Sequence, residues 1–248
     1  MNNFDFAIIL TCTINPGKMP NLVRKNIETR LEDYKKSFNF WINNKYVKKI
    51  IFIENSGYDL TFFKNLAKSN QNKEIEILST DSNNFLDKKR GTGLGEHTCL
   101  KEIFDLSTIS KKTNYFIGVT GRHCVKNFNT LLKDIISNKT DIYINLSDNL
   151  KFSDTNIYGG SKKFFLEYVI PETKKSSDIE NYYFENQVAN ATLKATSDGL
   201  TLSKTPVYPD IEGYIGTNGK KYKQNIFKKI KLFFFRKLKI YFFKHRKY

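Results

Sequence analysis

Acidic residues run out before the chain does. No Asp or Glu follows Glu212, whereas twelve Lys and Arg stand between Lys220 and Tyr248. Residues 1–219 hold the remaining 29 cations against 25 anions, so most of the formal net charge of +16 belongs to the C-terminal stretch. The fold-wide basic face expected of a nucleic-acid-binding domain is therefore missing. Cysteine is scarce: Cys12, Cys99 and Cys124 are odd in number and fit no zinc spacing. That excludes a disulfide framework and points to a reducing, cytoplasmic setting. No apolar run approaches the roughly 18 residues of a membrane-spanning helix. The N-terminal "MNNFDFAIILTCTINPG" is too short in its apolar part for a secretory signal and carries Asp5 in place of a basic lead. No internal repeat is present.

What is there suits one sizeable α/β unit. The chain has 248 residues, 40% hydrophobic, with 21 Phe and 14 Tyr to fill a core. "FAIILTCT" (6–13), "KKIIFIEN" (48–55), "KEIEILST", "TNYFIGVTG" and "DIYINLS" are short, apolar and rich in β-branched residues, and they predict strands. Between them lie helical patterns. The longest, "LVRKNIETRLEDYKKSFNFWINN", places Leu22, Ile27, Leu31, Tyr34, Phe38 and Trp41 on one side. Further helices are predicted over "LTFFKNLAKSN", from about Gly95 to Leu106, and over "VKNFNTLLKDIIS". Such alternation predicts a mostly parallel sheet with helices on both faces. Beyond Ser147 the pattern is mixed. "TNIYGGSKKFFLEYV" reads as a strand running into a helix, "SSDIENYYFENQVANATLKA" as a helix capped by Ser176 or Ser177, and "GLTLSKTPVYP" as a late strand.

Ligands of parallel sheets bind beyond the carboxyl ends of the strands. That singles out Thr11 and Thr13 after the first strand, Glu54, Asn55 and Ser56 after the second, Asp81 after the third, and Arg122 and His123 after the fourth. A glycine-rich turn, "KKRGTGLGEHTC", opens the helix that follows the third strand. Its G-x-G-x-G spacing is neither the P-loop nor the dinucleotide fingerprint. Gly91, Gly93 and Gly95 permit close backbone approach, the helix start offers N–H groups, and Arg90 adds charge, a combination suited to a phosphate. A tight turn with a solvated basic face is the alternative. His97 and Cys99 have no third orienting group in the sequence, so packing accounts for them better than nucleophilic catalysis.

In this order of elements, "ENSGYD", "GTGLGE" and "TGR" resemble a bacterial glycosyltransferase of the GT-A type, and more narrowly the small enzymes of lipopolysaccharide and capsule biosynthesis. The resemblance covers about residues 6–195. It implies a Rossmann-like GT-A domain over 1–215, with a nucleotide-sugar-binding half at 1–147 and an acceptor-side half at 148–215. Thr11, Thr13, Glu54, Asn55, Ser56, Asp81, Arg90, Gly91, Gly93, Gly95, Arg122 and His123 are then expected to meet the donor. The family's Asp-x-Asp, which holds a divalent metal, is absent: "VTGRHC" puts Arg122 in its place. An arginine is a permanent cation whose fork matches phosphate oxygens, so leaving-group stabilisation without a metal or other cofactor is expected. Asp178–Glu180 and Asp210–Glu212 both read "DIE" and are the places a Mg²⁺ would be sought. The family's late "E-D-x-x-F" carboxylate is partly matched by "IENYYFEN", with Asn181 in place of the Asp, which nominates Glu180 as general base and Glu185 as the second choice.

Residues 216–248 form a separate expectation. Ile226, Phe227, Ile230, Phe234, Leu238 and Tyr241 fall on one helical stripe among Lys228, Lys229, Lys231, Arg236 and Lys239. Aromatic anchors ringed by cations suit an anionic membrane surface, and imply a peripheral enzyme on the inner face of the cytoplasmic membrane, with a glycan or glycolipid acceptor. A helix packed on the domain is the structural alternative. A nucleic-acid-binding α/β protein with a basic arm and a sugar nucleotidyltransferase are the other functional ones. The last would need a glycine- and arginine-rich segment after the first strand, where "TCTINPGKMP" supplies only Gly17 and Lys18.

Overall fold

A computed structural model describes residues 4–203, 206–222 and 230. Its N-terminal part alternates strand and helix: β1 (Ala7–Cys12), α1 (Ile27–Ile42), β2 (Lys49–Glu54), α2 (Thr61–Lys68), β3 (Glu74–Ser79), α3 (Thr92–Leu106), α4 (Thr108–Lys112) and β4 (Tyr115–Thr120). A short β5 (Cys124–Val125) and α5 (Phe128–Asn138) follow. Then come β6 (Ile142–Tyr143), β7 (Leu146–Ser147), β8 (Phe152–Ser153), β9 (Ile157–Ser161), a π-helical stretch over Phe164–Val169, α6 (Ile170–Thr173), α7 (Phe184–Ser197) and β10 (Ile211–Glu212).

The main sheet has the order β3-β2-β1-β4-β9-β6. Its first four strands are parallel, in register from Ile8 opposite Ile50 and Ile117. β9 runs antiparallel to both β4 and β6. Since β1 connects outward to β2 while β4 lies on its other side, the strand order reverses between β1 and β4. The crevice beyond their carboxyl ends is the natural ligand site of such a sheet.

Side chains alternate across each strand and so feed two cores. Ile8, Leu10, Ile50, Phe52, Ile117 and Val119 meet α1, α2 and α5 through Tyr34, Phe38, Trp41, Phe63 and Phe128. Ala7, Ile9, Ile51, Ile53 and Phe116 meet α3, the π-helical stretch and α7 through Leu100, Ile103, Phe164, Phe165 and Val188. The predicted α/β architecture with helices on both faces is thus observed. Each fully buried Phe contributes about 2–3 kcal/mol of apolar transfer.

Several boundaries differ from the sequence expectation, each for a local reason. The first long helix begins at Ile27, not Leu22. The Asn26 side chain accepts the Thr29 N–H, while the N–H groups of Val23 and Arg24 donate to the carbonyl of Gly216. "DIYINLS" is split into β6 and β7, and β9 takes the place beside β4. The helix expected from Ser176 begins at Phe184. Ser177 and Tyr182 exchange backbone hydrogen bonds, and Asn181 takes a left-handed conformation (φ 57°) that interrupts any helix there. Of the late strand, Leu202 makes a parallel bridge to Ile142. The aromatic and basic stripe of the tail lies outside the described residues, apart from Ile230.

Candidate active site

A cavity of about 550 Å3 opens at the carboxyl ends of β1 and β4. β1 and β4 meet closely at its floor. The Gly121 N–H donates to the Thr11 carbonyl at 3.0 Å, and a Cβ on Gly121 would sit 2.2 Å from that oxygen. Only glycine lets the chain leave β4 at this point and deliver Arg122 and His123 to the cavity wall.

Of the residues expected to meet the donor, Thr11, Thr13, Gly93, Gly95, Arg122 and His123 line this cavity. Glu54, Asn55 and Ser56 stand behind it. The fully buried Glu54 carboxylate accepts the backbone N–H groups of Ile14 (2.9 Å), Ser56 (3.1 Å) and Tyr58 (3.0 Å), pinning the β1–α1 loop to the β2–α2 turn. Asn55 accepts the Thr13 hydroxyl at 2.6 Å and so aims Thr13. The Ser56 hydroxyl accepts the Asn15 N–H. These three residues shape the site rather than line it. Asp81 is exposed and outside the cavity.

The glycine turn holds something other than an open helix end. Gly91 (φ 81°) leaves room for the Asp178 side chain: a Cβ there would lie 1.8 Å from Asp178 Oδ2. The Thr92 N–H donates to that carboxylate, which thereby caps α3. Arg90 turns away, its guanidinium donating to the carbonyls of Lys174 (2.8 Å) and Ser176 (2.9 Å). Gly91 and Arg90 thus fasten the 174–178 segment to α3, and of the three glycines Gly93 and Gly95 reach the cavity, with Thr92 between Gly91 and Gly93.

The carboxylates are redistributed as well. Glu180 is exposed on the Ser177–Tyr182 turn and lines a separate open groove, whereas Glu185, in the first turn of α7, lines the main cavity. Burial raises the pKa of Glu185, its own backbone N–H opposes this, and Asp178 and Asp154 add to the rise. Glu212, in the second "DIE" segment, pairs with Lys36 and Lys126 (2.9 Å to the latter).

Two residues that the sequence reading passed over complete the wall. Glu96 projects from the second turn of α3, where Thr11 Oγ1 donates to both of its carboxylate oxygens at 2.8 and 2.9 Å. Burial pushes its pKa up to about 7, against the opposing effects of the Thr11 hydrogen bond and Arg122, and the Glu185 charge adds to the rise. Arg30, only 4% exposed, donates to the Thr13 carbonyl (2.8 and 2.6 Å), the Arg24 carbonyl (3.1 Å) and the Tyr34 hydroxyl (2.9 Å). The Arg122 Nε donates to the Tyr214 carbonyl at 3.3 Å. Among the described residues neither guanidinium pairs with a carboxylate; Arg30 directs its donors to the loop carbonyls and Tyr34, whereas Arg122 commits only its Nε and is the better placed of the two for an external anion. His123 is held neutral: burial and the Arg122 charge bring its pKa down to about 3, against the Tyr214 carbonyl.

The last wall is a strap. From β10, which pairs with β5, the chain crosses the cleft and contributes Ile215, Gly216, Thr217 and Tyr222 to its lining. The Gly216 carbonyl ties it to Val23 and Arg24, and the Tyr222 hydroxyl donates to Asn156 at 2.6 Å. Residues 216–222, grouped by sequence with the tail, therefore belong to the site. Where the GT-A resemblance would place metal-binding aspartates stand Gly121-Arg122-His123. Among the described residues no three His, Cys, Asp or Glu side chains converge as a metal site.

No protein-family model and no curated protein matches this chain. Solved structures share its arrangement at low identity. A cytidylyltransferase from Leptospira borgpetersenii has a TM-score of 0.45 at 9% identity, covering 99% of this chain and 100% of that one. A mannosyltransferase from Pyrobaculum calidifontis, in complex with GDP-Man and Mn2+, has a TM-score of 0.46 at 8% identity, covering 82% of this chain and 55% of that one. Residues 1–349 of TarS from S. aureus, in complex with UDP, give 0.43 at 10% identity, covering 80% and 57%. Likeness at this level carries no inference to this chain, and the chemistry of the cleft is read from its own residues.

Proposed function

We propose that the protein is a glycosyltransferase that takes a sugar from a nucleotide-sugar donor without a metal ion. The observation that carries this reading is the pairing, in one cavity at the strand-order switch, of two guanidiniums free of carboxylate partners with a carboxylate whose pKa lies at about 7. In glycosyl transfer the acceptor oxygen bonds to the anomeric carbon while the bond from that carbon to the diphosphate breaks. The acceptor hydroxyl gives up its proton, and the electron pair leaves on the diphosphate. Glu96 is the base that takes the proton, being ionised in about half the molecules at neutral pH. Arg122 faces the charge that develops on the leaving group, and Arg30 adds a buried positive charge behind the β1 loop. Nucleotidyl transfer makes a different demand. Its phosphate nucleophile is already deprotonated, and a near-neutral carboxylate has no proton to collect there.

The acceptor is a cell-surface glycan or glycolipid of the lipopolysaccharide or capsule kind. The twelve cations from Lys220 onward, interleaved with Phe, Ile, Leu and Tyr, support delivery to it at an anionic bilayer on the cytoplasmic side. The test is a screen of nucleotide sugars for hydrolysis and thermal stabilisation in EDTA, with nucleoside triphosphates plus sugar phosphates alongside. Nucleotide-sugar turnover in EDTA is the expected result. Turnover only of a triphosphate with a sugar phosphate, or a strict need for Mg²⁺ or Mn²⁺, would overturn the proposal.

A further inference from the structure

Thr11 is expected from its place in the sequence to meet the donor, yet its hydroxyl is already engaged: Oγ1 donates to both carboxylate oxygens of Glu96, at 2.8 and 2.9 Å. The two ends of this contact are held independently. Thr11 is the penultimate residue of β1, opposite Ile53 of β2 and Thr120 of β4, and its carbonyl accepts the Gly121 N–H. Alternation along β1 turns Ala7 and Ile9 to the α3 side, and Thr11, only 5% exposed, continues that row as its polar end. On α3, a Cβ at Gly93 would lie 3.1 Å from that of Phe184 and 3.2 Å from that of Ser176. The Asn55 amide donates to the Gly95 carbonyl at 3.4 Å. These contacts seat the first turn of α3 on the strand ends and bring Glu96 to Thr11.

One O–H shared between two carboxylate oxygens fixes the plane of the carboxylate as well as its position. It also favours the charged form, because an anion accepts a hydrogen bond more strongly than a neutral acid does. The other charged and titratable groups around Glu96 do not hold it. Arg122, past β4, attracts it and Glu185 of α7 repels it, both through charge. The Tyr158 hydroxyl of β9 and the Cys99 thiol of α3 sense its charge, and the former has no hydrogen-bond partner. We propose that Thr11 is the positioning residue of the reaction: its hydroxyl holds Glu96 in place while the proton of the acceptor hydroxyl passes to a Glu96 oxygen, and it makes no contact of its own with the donor. The Thr11 O–H bond stays intact throughout. This role rests on the transferase reading; the bond from Thr11 to Glu96 does not.

The experiment compares Thr11→Val, Thr11→Ala and Thr11→Ser in the full chain. Val keeps the branched shape and strand preference of Thr without the O–H, and Ala removes atoms only, so a misfit of Val does not decide the result. The first readout is the side-chain carboxyl carbon resonance of Glu96 followed against pH, identified by its loss in Glu96→Gln. Losing a hydrogen bond to a charged group should raise its midpoint by about one pH unit in the Val and Ala variants, and Ser should restore the wild-type midpoint. The second readout is the pH–rate profile of nucleotide-sugar turnover. The same shift should slow turnover roughly tenfold at about pH 6 and let the rates converge above about pH 9, with donor affinity by calorimetry unchanged. A Glu96 titration that moves in neither variant, a rate lowered equally at every pH, or a loss of donor affinity would overturn the proposal. A shifted titration in a protein that turns over no nucleotide sugar would overturn the transferase reading and the role with it, and leave the Thr11–Glu96 bond standing.

Discussion

Replacing Glu96 by Gln should make the protein more stable and less active, and the size of the gain should depend on pH. An ordinary Glu loses its proton near pH 4.5, and Glu96 in the fold loses it at about 7. Below pH 4.5 both folded and unfolded chains hold the proton, and Glu96 costs nothing. Between 4.5 and 7 the unfolded chain releases its proton first, so the folded state loses ground as pH rises. Above 7 the penalty is complete. At about 1.4 kcal/mol per factor of ten in proton affinity, it reaches about 3 kcal/mol, reduced by whatever water enters the cavity. Gln keeps an oxygen for the Thr11 hydroxyl and carries no charge. Glu96→Gln should therefore match the wild type at pH 4.5 and exceed it by about 1–3 kcal/mol at pH 8.5, measured by urea denaturation across that range. Donor binding should persist while transfer is lost, because an amide cannot accept the acceptor's proton. A stability difference that stays constant with pH would refute the buried-carboxylate argument. Transfer at the wild-type rate would refute the role of Glu96 as base.

The wild-type transfer rate should climb with pH around a midpoint of about 7. Glu185→Gln should move that midpoint down by removing a repelling charge, and Arg122→Ala should move it up, both read from pH–rate profiles. Arg122→Ala should also weaken donor binding about tenfold to a hundredfold, the range for a hydrogen bond to a charged group, measured by calorimetry. Gly121→Ala forces a Cβ to within 2.2 Å of the Thr11 carbonyl and should cost about 3 kcal/mol through overpacking, seen as a lowered Tm. Truncation after Tyr222, which spares the strap, should release the protein from anionic vesicles but leave soluble turnover intact, as checked by sedimentation. Equal binding of both chains would remove the anchor.

The parallel half of the fold was legible because its strands are short apolar runs and its helices carry a stripe, patterns set by local geometry. Thr11, Thr13 and Arg122 were legible for the same reason, since a residue just past a buried parallel strand has nowhere to go but the ligand edge. The position of β9 was not, because antiparallel insertion depends on pairing partners distant in sequence. Glu180 is nominated by its partial match to the late E-D-x-x-F segment, but the left-handed Asn181 keeps Ser177–Tyr182 out of the helix and leaves Glu180 exposed beside a separate groove. Arg30 did leave a sign: it follows Ile27 by three residues and precedes Tyr34 by four, placing a charge on the apolar side of α1. Glu96 left a similar one, three residues after Gly93 on the face that the glycine turn exposes. In both cases an ionisable group on an inward-facing stripe marked a wall of the cavity that the strand ends do not themselves supply.

The strap has a consequence for the order in which this protein is made. Chains fold from the N-terminus as they emerge, and by Ser203 all six strands of the main sheet have been synthesised. The nascent chain can close both cores at that stage, yet Arg122 still lacks Tyr214, and the cleft lacks Ile215 to Tyr222. Folding and competence are separated in time: a stable sheet comes first, and an incomplete cavity waits for a segment that pairs with β5 from far downstream. The cationic stretch follows that segment in the sequence. A chain that stops short of the strap is a folded sheet whose cleft lacks one wall.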